Sequence, residues 1–121
     1  DEAMAGYARE VRLACRAELT RLKAAGEESA AIQLQRVRHW MHRDENQMPE
    51  GMSAQVAEAR AANPSLDKLI AMREELRALW TRTNVSAEQL VADLQNWCHR
   101  AEESGIQALQ DFSRKLRAAH A

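Results

Sequence analysis

The sequence predicts an all-α fold, an antiparallel bundle of five to six helices. Helix-forming Ala, Leu, Glu, Arg and Gln dominate the composition, whereas β-branched residues are scarce and aromatic residues make up only 4%. Apolar residues recur every three or four positions, which is the period of an amphipathic helix. The loops between these periodic segments are short, and short loops favour antiparallel neighbours.

The first half of the chain contains three predicted helices. The first spans residues 3–25 and stops at Gly26, and the second spans 28–44. A short third helix follows from Ser53, which is placed to cap it, to Ala62. Asn63-Pro64 ends that helix, because the residue before a proline disfavours helical backbone.

The second half carries the strongest apolar stripes. One helix starts at Ser65 and runs to Thr83, and Ser86 to Gln89 matches a capping box that opens the next helix. Gly105 interrupts the pattern, and a last helix runs to about His120. The side chains expected to share one core are Leu69, Leu76, Trp80, Leu94, Trp97, Ile106, Leu109, Phe112 and Leu116.

The chain is interpreted as a single helical domain, 1–121, with N-terminal helices or an arm in 1–62 and core helices in 65–120. It starts with Asp1 rather than Met, which indicates a fragment of a larger protein. A net charge of −1 gives no strong nucleic-acid signal and no bulk attraction to an anionic membrane.

The apolar runs and the cysteine spacing narrow the class of protein further. No apolar run approaches the ~20 residues that a helix needs to span a bilayer. The two cysteines, Cys15 and Cys98, have no CxxC spacing. Free, buried thiols in a reducing compartment are the plain interpretation, and a single disulfide remains an alternative.

Trp97, Cys98 and His99 stand side by side and raise the question of a reactive site. On a helix, Trp97 and Cys98 fall on the apolar stripe, whereas His99 lies ~100° further round. A nucleophilic cysteine needs a base aimed at it and a lowered pKa. We therefore predict a buried, unreactive Cys98, and no catalytic, cofactor-binding or metal-binding residue in the chain.

The segment from residue 36 to residue 43 concentrates positive charge around an aromatic ring. Its candidate interaction residues are Arg36, Arg38, His39, Trp40, His42 and Arg43. They can contact a phosphate of a lipid or a nucleic acid, or Trp40 can belong to the core with the arginines at its rim. The two histidines are three residues apart and can share a metal, but a solvated basic helix face is the simpler alternative.

This segment is also a predicted partner surface. Trp40 and Met41 stand beside arginines, and that composition is enriched at protein interfaces. Residues 28–62 lack the dense apolar stripe of the later helices. We expect this arm to contact a second copy of the chain or another domain of the parent protein.

The last two helices resemble the C-terminal tail of pseudomonad-type bacterial membrane fatty acid desaturases. The residues that carry the resemblance are Trp97, Ala101, Glu102, Ser104, Gly105, Ile106, Leu109, Asp111 and Phe112. Further similarity lies near the start, at Tyr7, Arg9, Val11, Glu18 and Leu19. The similarity covers most of the chain and contains no catalytic motif.

This resemblance implies a parent that is a membrane di-iron enzyme of the bacterial inner membrane, inserting a double bond into an acyl chain. The chain would be its cytoplasmic, non-catalytic appendage, with no iron of its own. Its four histidines match no histidine box of the family. The implied partners are the parent's membrane domain, a redox protein or a second copy.

A second resemblance covers residues 53–117. The stretch is similar to a helical segment of DDE-type insertion-sequence transposases, through Asn63, Pro64, Leu66, Glu75, Leu76, Arg77, Leu79, Trp80, Ser104, Gly105 and Phe112. This resemblance implies a role in DNA transposition. It is the alternative to the desaturase interpretation. The N-terminal segment of the chain favours the desaturase.

Overall fold

Six α-helices and one short 3₁₀ helix follow one another along the described part of the chain. The structure is a computed structural model that describes residues 2–82 and 84–119. The helices are α1 (Glu2–Ala24), α2 (Glu28–Val37), α3 (Met52–Ala62), α4 (Pro64–Trp80), α5 (Ala87–Glu103) and α6 (Gln107–Ala119), with the 3₁₀ helix at Glu45–Gln47. These residues contain no β-strand, so the predicted all-α bundle is confirmed.

The helices form a bundle in which α1 and α4 have the most neighbours. Helix α1 packs against α2, α4 and α6, and α4 packs against α1, α3 and α5. Each helix also packs against the helix that follows it in the sequence. Helices α1 and α6 meet where the Tyr7 ring packs edge-on against the Phe112 ring, with centroids 4.8 Å apart, and where Lys115 Nζ lies 3.0 Å from Glu10 Oε1.

One hydrophobic core joins all six helices. Six of the nine predicted core residues are fully buried, namely Leu69, Leu76, Trp97, Leu109, Phe112 and Leu116. The other three, Trp80, Leu94 and Ile106, are half-buried and pack against the same core. Tyr7 adds its hydroxyl to the interior and donates a hydrogen bond to the Leu69 carbonyl of α4.

The helix ends show why the chain turns where it does. Gly26 has φ 76°, a left-handed conformation that glycine adopts without strain. The Gly26 amide donates to the Lys23 carbonyl at 3.2 Å and the Glu27 amide to the Leu22 carbonyl at 2.9 Å. This pair of bonds is a Schellman motif, and it ends α1 as the sequence predicts.

Half of the predicted capping box forms at the start of α5. Ser86 Oγ accepts a hydrogen bond from the Gln89 amide at 3.1 Å, as a capping serine should. The Gln89 side chain does not return the bond, because its Nε2 donates to Asp93 Oδ1 at 2.9 Å. A partner one turn along the helix has displaced the reciprocal half of the box.

Other predicted helix starts shift by one or two residues. Helix α3 begins at Met52, after Gly51 with φ 82°, so Ser53 lies inside the helix and is not its cap. Helix α4 begins at Pro64 and not at Ser65, because a proline at the first position has its backbone already set for a helix. The predicted ends at Thr83 and His120 lie outside the described residues.

The prediction of one helix over residues 28–44 is wrong. Helix α2 ends at Val37, and residues 38–43 form successive turns. After the turns, Asp44 has an extended backbone, and its carboxylate contacts Arg77 of α4, with Arg73 Nη1 3.9 Å away. The segment that follows α2 is therefore in contact with α4 and does not continue the helix.

Two large apolar side chains of the helices are exposed. Ile32 of α2 is 57% exposed and Val91 of α5 is 53% exposed. The buried face of α2 is instead made by Ala31, Leu34 and Val37, whose spacing of three repeats the helical period. Both exposed residues lie beside the buried stripe of their helix rather than on it.

Candidate functional site

The turn of residues 38–43, which we call the basic turn, follows α2 and is held by short-range hydrogen bonds. The Trp40 amide donates to the Val37 carbonyl at 2.8 Å, and the Arg43 amide donates to the Trp40 carbonyl at 3.0 Å. Met41 attaches the turn to the hydrophobic core, since it is 2% exposed and its Sδ lies 3.8 Å from Cys15 Sγ of α1. The polar residues around Met41 are consequently fixed on the surface of the bundle.

The six predicted interaction residues occupy this turn and the last residues of α2. Arg36, His39 and Arg43 are exposed, whereas Arg38, Trp40 and His42 are half-buried. The Arg43 guanidinium lies 5.2 Å from the centroid of the Trp40 ring, a cation–π distance. Trp40 also packs against the hydrophobic core, so its ring has both a structural contact and a contact with a surface charge.

His39 and His42 do not share a helical edge, because the α-helix has ended before them. His39 is exposed, and Nδ1 of His42 is buried. Within residues 2–82 and 84–119, no three His, Cys, Asp or Glu side chains come together in a group that could hold a metal ion.

Two arginines outside the six predicted interaction residues complete the site. Arg12 of α1 and Arg73 of α4 lie close enough to His42 for their charges to act on it. Each follows a buried residue, Val11 and Met72, and so lies at the edge of an apolar stripe. That edge position is the only sequence signal that could have indicated them.

Burial is the main cause that lowers the pKa of His42 below its usual value of 6.5. The positive charges of Arg12, Arg43, Arg73 and His39 lower it further, in that order. A neutral imidazole is therefore favoured at neutral pH. The charge of the site comes from its arginines.

Three polar atoms of the site are buried and lack a hydrogen-bond partner. They are Arg38 Nε, His42 Nδ1 and Arg73 Nε, and they are the whole set of such side-chain atoms in the described residues. Buried polar groups are nearly always paired in folded proteins, and an unpaired one costs about 1–3 kcal/mol. Their concentration at one place distinguishes the basic turn from the rest of the bundle.

The Trp97-Cys98-His99 stretch does not converge. Trp97 and Cys98 are buried on α5, whereas His99 is exposed and its Nε2 lies 3.1 Å from Glu103 Oε1. Cys98 is a free thiol, as is Cys15. Burial raises the pKa of Cys15 to about 11, so this thiol stays protonated at neutral pH.

The fold and the site define a helical segment with one positively charged turn. Residues 4–121 match the ISL3-type family of DDE transposases, which is described as Transposase. Since the match extends over nearly the whole sequence, the chain belongs to this transposase family. No curated protein and no solved structure matches the chain.

The desaturase interpretation is therefore wrong, and with it the oxidoreductase and lipid-metabolism assignments. Several of the residues that suggested it serve the packing of this bundle. Trp97, Ala101, Leu109 and Phe112 are buried core, and Gly105 turns the chain with φ 75°. A shared packing pattern does not establish a shared function.

Several expectations depended on the desaturase resemblance alone and have no other support: the di-iron parent, the redox partner, the membrane-domain partner and the inner-membrane location. Among the described residues, no helix is long and apolar enough to cross a membrane. The predicted contact with a second copy of the chain did not depend on it and stays a prediction.

Proposed function

We propose that this chain is a non-catalytic helical part of a DDE-type transposase and acts in DNA transposition by holding DNA. The observation that carries the proposal is the family match over residues 4–121. A packed helical bundle offers a rigid surface for DNA.

The pairing of the aspartates supports a non-catalytic role. DDE chemistry resembles other metal-dependent phosphoryl transfers, in which carboxylates hold the metal ions. Every described aspartate instead contacts an arginine: Asp44 with Arg77, Asp67 with Arg60, Asp93 with Arg82 and Asp111 with Arg114. Each of the four aspartates has its own arginine partner, and this is the arrangement of surface ion pairs rather than of a shared metal site.

An excision assay tests the proposal. The natural polypeptide that contains this chain is incubated with Mg²⁺ or Mn²⁺ and a donor plasmid that carries its element, and released DNA is measured. Asp44→Asn, Asp67→Asn, Asp93→Asn and Asp111→Asn should each retain activity within about fivefold, because an exposed ion pair contributes only about 0.2–1 kcal/mol. A catalytic carboxylate would lower the rate by several orders of magnitude.

Two results would contradict the proposal. Loss of excision in one of these variants, with helix content unchanged by circular dichroism, would place a catalytic acid inside this chain. If the unmodified polypeptide excises no DNA from any donor end tested, the proposed role in transposition is wrong. Leu69→Ala serves as a comparison, since opening the core at a 0% exposed leucine should lower activity together with stability.

A further inference from the structure

We propose that the basic turn, together with Arg12 of α1 and Arg73 of α4, binds a phosphate of the DNA backbone. DNA as the source of that phosphate rests on the proposed function. The phosphate site itself rests on the charge, burial and hydrogen bonding of these residues.

Positive charges converge here from three separate elements. Around His42, Arg12 comes from α1, Arg43 from the turn and Arg73 from α4, and Arg38 lies in the same turn beside Cys15 of α1. No carboxylate of the described residues forms an ion pair with Arg12, Arg38 or Arg43. Asp44, Glu45 and Glu74 are the neighbouring anions; Asp44 is engaged mainly by Arg77 and lies 3.9 Å from Arg73.

Unpaired charges of one sign repel one another, so a counterion stabilises such a group. Asp44 is paired with Arg77, and the nearby Glu45 and Glu74 are exposed and form no ion pair with Arg12, Arg38 or Arg43. Bound phosphate supplies a further charge and several acceptor oxygens, and the planar guanidinium matches its geometry through paired N–H groups. The missing partner of this site is therefore an oxyanion.

The unpartnered nitrogens give a second, independent indication. Arg38 Nε and Arg73 Nε are buried donors without an acceptor. Arg73 is strongly enclosed, with 14% of its side chain exposed. Small movements of these side chains toward a bound oxyanion would satisfy donors that the free bundle leaves unpaired.

The surroundings favour a phosphate within a polymer. Arg36, His39 and Arg43 are exposed beside the enclosed arginines, so the neighbouring phosphates of a DNA strand also meet positive charge or hydrogen-bond donors. The Trp40 ring holds the Arg43 guanidinium at the surface. Because the overall charge is only −1 and glutamates flank the segment, we expect contact with a few phosphates only.

DNA binding by the 121-residue chain tests the site. Fluorescence anisotropy with a labelled duplex of unrelated sequence is measured across a salt series. Arg38→Ala/Arg43→Ala should weaken binding by about tenfold or more at ~50 mM salt and reduce the slope of log K against log salt by about 2. Arg38→Lys/Arg43→Lys should recover part of the affinity, because the charge is retained.

The matched control removes the same charge elsewhere. Arg100→Ala/Arg114→Ala deletes two exposed arginines, one on α5 and one on α6, that pair with Glu75 and Asp111. Affinity and salt slope should stay near those of the unmodified chain. Arg43→Glu is a second site variant, and because Arg43 is exposed it tests the site without disturbing the half-buried Arg38.

Several outcomes would overturn the inference. Equal weakening by the control pair would indicate a diffuse charge effect. Binding of inorganic phosphate without binding of the duplex would show that DNA is not the source. Unchanged DNA affinity with altered self-association in the site variants would assign the turn to a protein partner.

The excision assay separates this inference from the proposed function. If the site variants bind DNA normally while the unmodified polypeptide excises DNA, the phosphate site is wrong and the proposed function stands. If the site variants lose DNA binding but the polypeptide never excises DNA, the phosphate site stands and transposition is wrong.

Discussion

Trp97 of α5 donates a hydrogen bond from its indole Nε1 to the Met72 carbonyl of α4, at 2.9 Å, in the centre of the bundle. Trp97 is 0% exposed, and its ring also packs against Phe112 with centroids 5.9 Å apart. The indole therefore joins α4, α5 and α6. Trp97→Phe removes the hydrogen bond and keeps much of the ring, so urea unfolding should show a loss of about 1–2 kcal/mol.

Trp97→Ala is the comparison for that variant. It removes the ring contacts as well and should cost about 3–5 kcal/mol. Equal losses in both variants would mean that the hydrogen bond, and not the packing, dominates. Losses below 0.5 kcal/mol in both, on the order of a surface substitution, would contradict the central position of this side chain.

Ser86→Ala should destabilise the bundle by about 1 kcal/mol, because it removes the acceptor for the Gln89 amide at the start of α5. Thermal unfolding followed by circular dichroism measures the loss. Ser65→Ala is the matched control, since Ser65 is exposed in α4 and no hydrogen bond of its hydroxyl is observed. Equal effects in the two variants would argue against the cap.

Stability should fall as the pH decreases through the range in which His42 titrates. Burial, followed by the charges of Arg12 and its neighbours, lowers the pKa of His42 below 6.5 in the folded chain. As the pH falls, the unfolded chain therefore takes up the proton before the folded chain does. The contribution of neutral His42 to the free energy of unfolding is fully present above pH 6.5 and is lost as the pH falls toward the lowered pKa.

Urea unfolding of the unmodified chain and of His42→Gln, at several pH values between about 5 and 8, tests this dependence. The variant should lose less stability on acidification than the unmodified chain. A steeper loss of stability in the variant would indicate that protonated His42 stabilises the folded chain, whereas we expect protonation to destabilise it.

The predicted contact between two copies of the chain is tested by Trp40→Ala. Trp40 lies in the turn outside the α-helices, so helix content should stay nearly constant while self-association weakens. Sedimentation velocity and circular dichroism measure the two effects. A monomer at every concentration, together with collapse of the fold in the variant, would mean that Trp40 serves the core alone.

The helices could be predicted because each has its own period and its own ends. The Gly26 stop and the Ser86 cap are local features, and the structure contains both. The end of α2 at Val37 could not be predicted in this way. The segment that follows it contacts α4, where Asp44 meets Arg77, and this partner is 33 positions away in the sequence.

The site could be predicted only in part for the same reason. The run from Arg36 to Arg43 is visible in the sequence. Arg12 and Arg73 join it only after α1 and α4 have packed. A net charge of −1 gave no strong nucleic-acid signal, because a sum over the chain does not reveal where charges of one sign gather.

The pairing of α1 with α6 has a consequence for the order of folding. The Lys115–Glu10 contact spans 105 positions, whereas the α4–α5 and α5–α6 hairpins close over short loops. Closing a long loop costs more chain entropy than closing a short one. We expect the α1–α2 pair and the hairpins of α4, α5 and α6 to form early, and the contact between α1 and α6 to form late.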